Sequence, residues 1–151
     1  MIEVDRPADM QRYVGQKLGT SDWVVVDQEK IDGFAKLTGD DNWIHVDVER
    51  ARRELPDGKT IAHGLLTLSL MPRLAAQTLK IRQRSRSINY GSNKVRFPAP
   101  VKCGARLRLH RALEKFEPVE GGARLTFSNV MEIEGEERPA MAAESISVVY
   151  E

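Results

Sequence analysis

The stretch Gly121-Gly122-Ala123-Arg124-Leu125-Thr126-Phe127-Ser128-Asn129-Val130-Met131-Glu132-Ile133-Glu134 alternates with a period of two. Ala123, Leu125, Phe127, Met131 and Ile133 fall on one side, and Arg124, Thr126, Ser128, Glu132 and Glu134 on the other. That is the pattern of a strand with one face buried. The run Leu107–Phe116 precedes the Gly-Gly pair, so the two runs are expected to form a hairpin. Ser145–Tyr150 reads as a further strand. Ile88–Phe97 is another, ended by Pro98 and Pro100, with Gly91 a bulge.

Upstream of Ser87 the period changes. A short amphipathic segment covers Ala8–Val14, and Trp23-Val24-Val25-Val26 reads as a strand. Asp27 is placed to cap a helix, because its carboxylate can accept from the first free N–H groups. Ile31, Phe34, Ala35 and Thr38 then fit one buried helix face, and Gly39 is a natural stop. A polar stretch runs from Asp40 to Thr60, with a short helix expected at Val48–Leu55 before Pro56-Asp57-Gly58. Ala62 to about Leu79 is apolar on most sides, which predicts a helix buried all round; Pro72 should kink or break it. Its polar face is too thin for a partner-binding amphipathic helix. One buried helix followed by antiparallel strands predicts an α+β fold: a single hot-dog domain over residues 1–151, an antiparallel sheet wrapped around a long central helix.

Composition narrows the function classes. The chain has 151 residues, 41% of them hydrophobic, and 23 Lys+Arg against 22 Asp+Glu, a formal charge of +1. That excludes a disordered chain and a dedicated nucleic-acid binder, which would carry a strong basic excess. Cys103 is the single cysteine, which excludes an intrachain disulfide framework and a cysteine-rich zinc site and fits a reducing compartment. The most apolar stretch, Ile61–Ala76, carries His63, Pro72 and Arg73 and is too short to span a membrane. The first residues, MIEVDRPADM, do not read as a secretory signal. A cytoplasmic protein with no membrane or nucleic-acid partner is expected.

Two clusters carry candidate chemistry. Thr38-Gly39-Asp40-Asp41-Asn42-Trp43-Ile44-His45-Val46-Asp47 puts carboxylates close to a histidine, the usual apparatus for moving protons. A continuous helix would set Asp40 and His45 ~140° apart in azimuth. They converge only if Asp41–Ile44 is a loop or turn, which Asn42 favours. The plainer alternative is a solvated Asp40 after a helix end and a His45 bonded to a backbone carbonyl. Thr60-Ile61-Ala62-His63-Gly64-Leu65 is the second cluster. A glycine opening an apolar helix lets a ligand approach its N–H at the positive end of the helix dipole, a fit for a developing oxyanion. Gly64 could equally serve close helix–sheet packing, and His63 beside it reads as a packing or hydrogen-bonding residue. His63 and His110 stand far from His45 in sequence, so no metal site is read from spacing. Cys103 reads as inert. The basic run Lys80, Arg82, Arg84, Arg86 reads as solvated surface or as a contact for ligand phosphates, and Lys94 and Arg96 as one face of a strand. No phosphate-binding glycine loop or nucleophile elbow is present.

Together, Gly39-Asp40-x-Asn42-x-Ile44-His45-x-Asp47, then Ala51, then Ile61-Ala62-His63-Gly64, resemble the MaoC-like family of (R)-specific enoyl-CoA hydratases. Asn89-Tyr90-Gly91 and Val95-Arg96-Phe97-x-x-Pro100-Val101 look like its nodulation protein N-like branch, and the match runs in order from about Val14 to Val149. The resemblance implies a dyad of Asp40 and His45 gripping one water that adds to C3 of a trans-2-enoyl thioester. It implies an oxyanion donor at Gly64, with Asn42 holding the loop or touching the ligand and His63 beside the site. No cofactor or metal is implied, because the CoA or acyl-carrier thioester is the substrate, and a homodimer is expected. Trp43 departs from the proline common in relatives, and its large ring is expected to wall an acyl tunnel or to serve a different substrate. The rivals are a hot-dog acyl-CoA thioesterase and a non-catalytic acyl-thioester binding module.

Overall fold

Alternating strands pair first with their chain neighbours. In the computed structural model, which describes residues 1–151, this builds one antiparallel sheet of six strands. β6 (Arg106–Val119) and β7 (Gly122–Ile133) form the expected hairpin, and β8 (Met141–Tyr150) joins the free side of β7. β5 (Arg86–Arg96) lies outside β8 and is an edge strand, while β2 (Lys17–Thr20) and β3 (Val24–Val25) share the far side of β6. A separate parallel pair, β1 (Ile2–Val4) with β4 (Leu79–Ile81), ties the chain start to the segment after the central helix. The β5 register slips at Gly91, as expected for a bulge. It slips again at Lys94, which sits at φ 51°, so Lys94 and Arg96 do not share a regular strand face.

The helices come from the first half. Asp27 caps α1 (Gln28–Thr38) by accepting from Lys30 N, and Gly39 ends it in the left-handed conformation at φ 79°. Ile31 and Ala35 are buried as expected. Thr38 is not: its hydroxyl donates to the Phe34 carbonyl, which turns it to solvent. α2 (Trp43–Val46) is a single turn, and α3 (Val48–Glu54) closely matches the expected short helix. The central helix is α4 (Gly64–Ala75), shorter than its apolar run, because Leu79–Ile81 leaves to form β4. Pro72 is carried inside its last turn, on the exposed side, and the helix stops three residues later. The expectation of burial all round fails. The sheet covers one side only, through Leu66, Met71 and Leu74, while Leu65 is 60% exposed.

The helix-facing side of the sheet carries two apolar clusters. One joins Leu66, Met71 and Leu74 to Leu107, Leu109, Met131 and Met141. The other sets Val4, Met10 and Ile81 on Leu113, Leu125, Phe127 and Val149. The outer face is held by charge. Glu132 accepts from Arg108 Nε at 2.7 Å and Nη2 at 3.0 Å and from His110 Nε2, and the Arg108 guanidinium lies 4.4 Å over the Trp23 ring.

The bonds from Arg108, then from His110, hold the Glu132 carboxyl below its ordinary value of 4.5. Its contribution to stability is therefore complete above about pH 4.5 and lost as pH falls through the lowered folded value. Glu132→Gln is expected to cost about 1 kcal/mol at pH 7, roughly 2–4 °C in Tm, a figure reduced for partial exposure. Thermal unfolding of both proteins should show the difference shrinking below pH 4.5; a constant difference would remove the ion pair as its cause.

Candidate active site

Gly39 breaks α1 just before Asp40, and Asp40–Asn42 run as loop. The helical turn α2 then starts at Trp43, with the Asn42 side chain accepting from Ile44 N at 3.3 Å. The expected turn over Asp41–Ile44 is thus half loop and half helix. The Gly39–Asn42 break suffices to bring Asp40 and His45 together, which a continuous helix would forbid. Asn42 holds the loop, one of its two expected roles. Asp47 does the same for α3, accepting from Arg50 N at 2.9 Å.

Each buried histidine has one nitrogen committed to a backbone carbonyl. His45 Nδ1 donates to the Ile61 carbonyl, and His63 Nε2 donates to the Asp40 carbonyl at 2.8 Å. A carbonyl only accepts, so a proton of His45 sits on Nδ1, and Nε2 is left without a partner in the chain. The plainer reading of His45, a bond to backbone, is correct for one nitrogen and leaves the other free. His63 Nδ1 is sealed from solvent with no partner in the chain. The two rings stack with centroids 3.8 Å apart and planes 28° apart, and Phe34 tilts against His63 at 4.9 Å.

A carboxylate oxygen of Asp40 and one ring nitrogen of each histidine lie within 4.8 Å of one another. Carboxylate and imidazole at that spacing can both reach one small polar molecule between them at ordinary hydrogen-bond lengths. A metal ion fits less well. An imidazole lone pair lies in its ring plane, so near-parallel stacked rings direct their lone pairs side by side rather than toward one point about 2.1 Å from both. Asp40 is the exposed member, and His45 and His63 are buried.

Gly64 opens α4, so its N–H has no intrahelical acceptor and points from the positive end of the dipole. A Cβ there would lie 2.9–3.0 Å from the Phe97 ring. The packing role proposed for Gly64 is therefore real, against Phe97, and it leaves the N–H free for a second use. Trp43 lies under the Arg50 guanidinium, 4.0 Å from ring centroid to carbon, so its ring is held by α3. The stretch Arg50–Lys59 that follows is charged because it pairs with itself and with Lys102, through Arg50–Glu54 and Lys102–Asp57.

Residues 9–131 match the family described as MaoC like domain. The chain belongs to this family. It is 49% identical over 140 residues to the 3-hydroxyacyl-thioester dehydratase Z of Mycobacterium tuberculosis strain H37Rv, covering 92% of each chain. It is 44% identical to Nodulation protein N of Rhizobium leguminosarum bv. viciae over 94% of this chain and 89% of that one. Among solved structures, the (R)-hydratase PhaJ1 from Pseudomonas aeruginosa superposes with TM-score 0.75 at 24% identity, over 91% of this chain and 82% of that one. That likeness is of fold, the hot dog expected from the strand and helix pattern.

Sequence reading missed the brace behind this MaoC-like site. Gln28, in the first turn of α1, donates to the His45 carbonyl at 2.7 Å and to Asp32 at 2.8 Å, and accepts from the buried Thr60 hydroxyl. One amide thus joins α1, α2 and the strand-like segment that leads to Gly64. Nothing in the local pattern marks Gln28, a polar residue at a helix start like many others. Gln28→Ala should destabilise the protein by about 1–3 kcal/mol, since the Thr60 hydroxyl would be buried without an acceptor. Thermal denaturation checks it: a change under half a kilocalorie would show that the brace is replaced by water.

Proposed function

We propose that the protein is a hydro-lyase: an (R)-specific enoyl-CoA hydratase that adds water to trans-2-enoyl thioesters and, in reverse, dehydrates (R)-3-hydroxyacyl thioesters. The observation that carries this is the approach of the Asp40 carboxylate to His45, whose proton is fixed on Nδ1 by the Ile61 carbonyl. The relatives named as dehydratases of hydroxyacyl thioesters and of 3-hydroxybutyryl-CoA support the same reaction class.

In this reading one water donates to the Asp40 carboxylate and to His45 Nε2. Its oxygen bonds to C3, the π pair moves to C2, and negative charge gathers on the thioester oxygen. The Gly64 N–H meets that charge at the helix start. The proton shed by the water passes to the dyad, and the dyad returns a proton to C2, so the elements of water are added and no electron is gained or lost. No metal or redox cofactor is needed for these steps; water and the thioester are the only reactants. His63 supports the dyad through its bond to the Asp40 carbonyl and its stack on His45, which makes it a positioning residue. The carrier is CoA or an acyl carrier protein, and the setting is the cytoplasm, where such thioesters are made.

The chain acts as one domain and, we infer, as a homodimer. β5 is an eleven-residue edge with no buried residue, and it exposes Ile88 and Tyr90. A long open edge with apolar side chains calls for a cover, and a second β5 supplies one. Sedimentation at micromolar concentration should return a dimer; a stable monomer would refute it.

Following the enoyl-thioester absorbance of crotonyl-CoA and longer trans-2-enoyl-CoAs tests the chemistry. Absorbance should fall without thiol release and give the (R)-alcohol, and Asp40→Asn or His45→Gln should lower kcat on the order of 10²-fold or more. Thiol release would point to a thioesterase. Ligand binding with a flat trace for every substrate would point to a binding module.

A further inference from the structure

The helix-facing side of the sheet is apolar except along one line. On β6, Arg111 lies between Leu109 and Leu113, both fully buried, in the phase that elsewhere carries core residues. Its partner across the ladder on β7 is Asn129, 1% exposed, in the apolar phase between Phe127 and Met131. On β8 the same phase holds Ser145 and Ser147 between Ala143 and Val149, and Ser147 pairs with Asn89 of β5. A polar strip therefore crosses four strands and separates the two apolar clusters. A sheet facing a helix gains stability from apolar side chains, so a contiguous polar strip running obliquely from Arg111 and Asn129 through Ser145 to Ser147 and Asn89 is a feature that packing does not explain.

The strip forms the floor of a cavity of about 400 Å³. Its roof is the C-terminal part of the central helix, Met71, Pro72 and Ala75, and its walls are apolar at Leu125, Phe127 and Val149. Lys80 and Arg84 line it as well, and no aspartate or glutamate does. Arg111 is the focus. Its guanidinium stacks 3.6 Å from the Phe127 ring centroid, and Nε is sealed with no acceptor in the chain. Its terminal nitrogens make no hydrogen bond within the chain and are not sealed, so what remains open of Arg111 is its donor end. Burial alone, with no carboxylate nearby to offset it, pushes its pKa down to about 10. Asn129 Oδ1 in the same strip is also sealed and unpartnered, because its amide nitrogen donates to Ser145 Oγ and to the Phe127 carbonyl. A desolvated cation without a counter-ion is costly to fold and is accounted for when something anionic binds it.

We propose that this cavity is a recognition subsite for a carboxylate carried on an apolar chain, with the Arg111 guanidinium as the receiving group. One planar fork with hydroxyl and amide neighbours suits a monoanion that accepts two parallel hydrogen bonds. A phosphate dianion would call for more cations at the same depth. The apolar walls take the chain. The helix rises about 1.5 Å per residue, so Met71–Ala76 lies about 10–18 Å along the axis from Gly64. A chain attached at the reaction centre and reaching that far would present its distal end to Arg111. The substrate class this assigns is the ω-carboxylated enoyl thioester. That part rests on the hydratase reading; a free fatty acid, whose own carboxylate has the same chemistry, is the other source.

The test has two arms. In the first, hydration of ω-carboxy and ω-methyl trans-2-enoyl-CoAs of equal length is compared in wild type, Arg111→Met and Arg111→Lys. Wild type should favour the ω-carboxy substrate by about tenfold or more in kcat/KM, Arg111→Lys should keep part of the preference, and Arg111→Met should lose it. In the second arm, Tm is followed with decanedioate, decanoate, decanol and inorganic phosphate. The two carboxylates should raise the Tm of wild type and not of Arg111→Met, and decanol and phosphate should do little. Without ligand, Arg111→Met should unfold at the same temperature or higher, since it removes an uncompensated buried charge and keeps the packed stem. Hydration of plain enoyl-CoAs with no ω-carboxy preference and no Arg111-dependent Tm shift would overturn the subsite and leave the hydratase standing. An Arg111-dependent carboxylate shift with no hydration of any substrate would keep the subsite, with free fatty acid as its ligand, and discard the hydratase. A lower Tm or loss of the dimer in both Arg111 variants, with no carboxylate effect on wild type, would make Arg111 a structural residue and overturn the proposal, as would phosphate acting as well as decanedioate.

Discussion

The bond from His63 Nε2 to the Asp40 carbonyl crosses 23 positions of chain and fixes the polar loop to the start of the central helix. Everything at the site depends on that join. Asp40 follows a helix end, where the backbone has few partners of its own, and without an anchor its carboxylate would range through solvent. His63 is the residue before Gly64, so the anchor of the acid and the free N–H of the helix belong to adjacent residues. A shift of one carries the other with it. His45 enters the same arrangement from the other side, stacked on His63 and bonded to the carbonyl of Ile61, two residues upstream. Preorganisation here is the work of backbone carbonyls, which have no alternative protonation state and so set the tautomers of both rings.

That economy explains why the site was only partly legible from the residues. The Asp40–His45 spacing forbids a helix between them, and Gly39 supplies the break; both facts are local and could be read. So could Asp27 and Gly39 as helix ends, and the alternation that makes the β6–β7 hairpin. Gln28 could not. Its value lies in reaching the His45 carbonyl and the Thr60 hydroxyl, 17 and 32 positions away, and no periodicity records such a contact. The short strands β1, β2 and β4 were missed for a related reason. Three or four residues hold too few alternations to signal a strand, and β1 and β4 exist because each is the other's partner. The over-reading of the central helix came from the opposite cause. Its apolar run includes residues that belong to β4 and a side chain, Leu65, that the sheet never covers.

Arg111 and Asn129 occupy a different position, since their signal was present locally. Each stands in the apolar phase of a strand whose other members in that phase are core residues. Taken singly, such a residue carries no functional signal, because one polar side chain in an alternating strand is commonly a bulge or an end effect. What alters its meaning is register. Arg111 faces Asn129 across the ladder, Asn129 bonds Ser145 diagonally across to β8, and Ser147 two residues on faces Asn89, so the breaks in pattern form one contiguous oblique strip. Independent errors of packing would scatter among strands; alignment needs a common cause. The two candidates are a buried network that satisfies itself and a surface shaped for a ligand. A self-satisfied network would leave neither Arg111 Nε nor Asn129 Oδ1 without a partner, and both are without one. The Arg111 cavity thus lies under the last turns of the central helix, whose first residue, Gly64, follows His63 of the Asp40–His45–His63 cluster, so a substrate laid along that helix would meet polar groups at both of its ends.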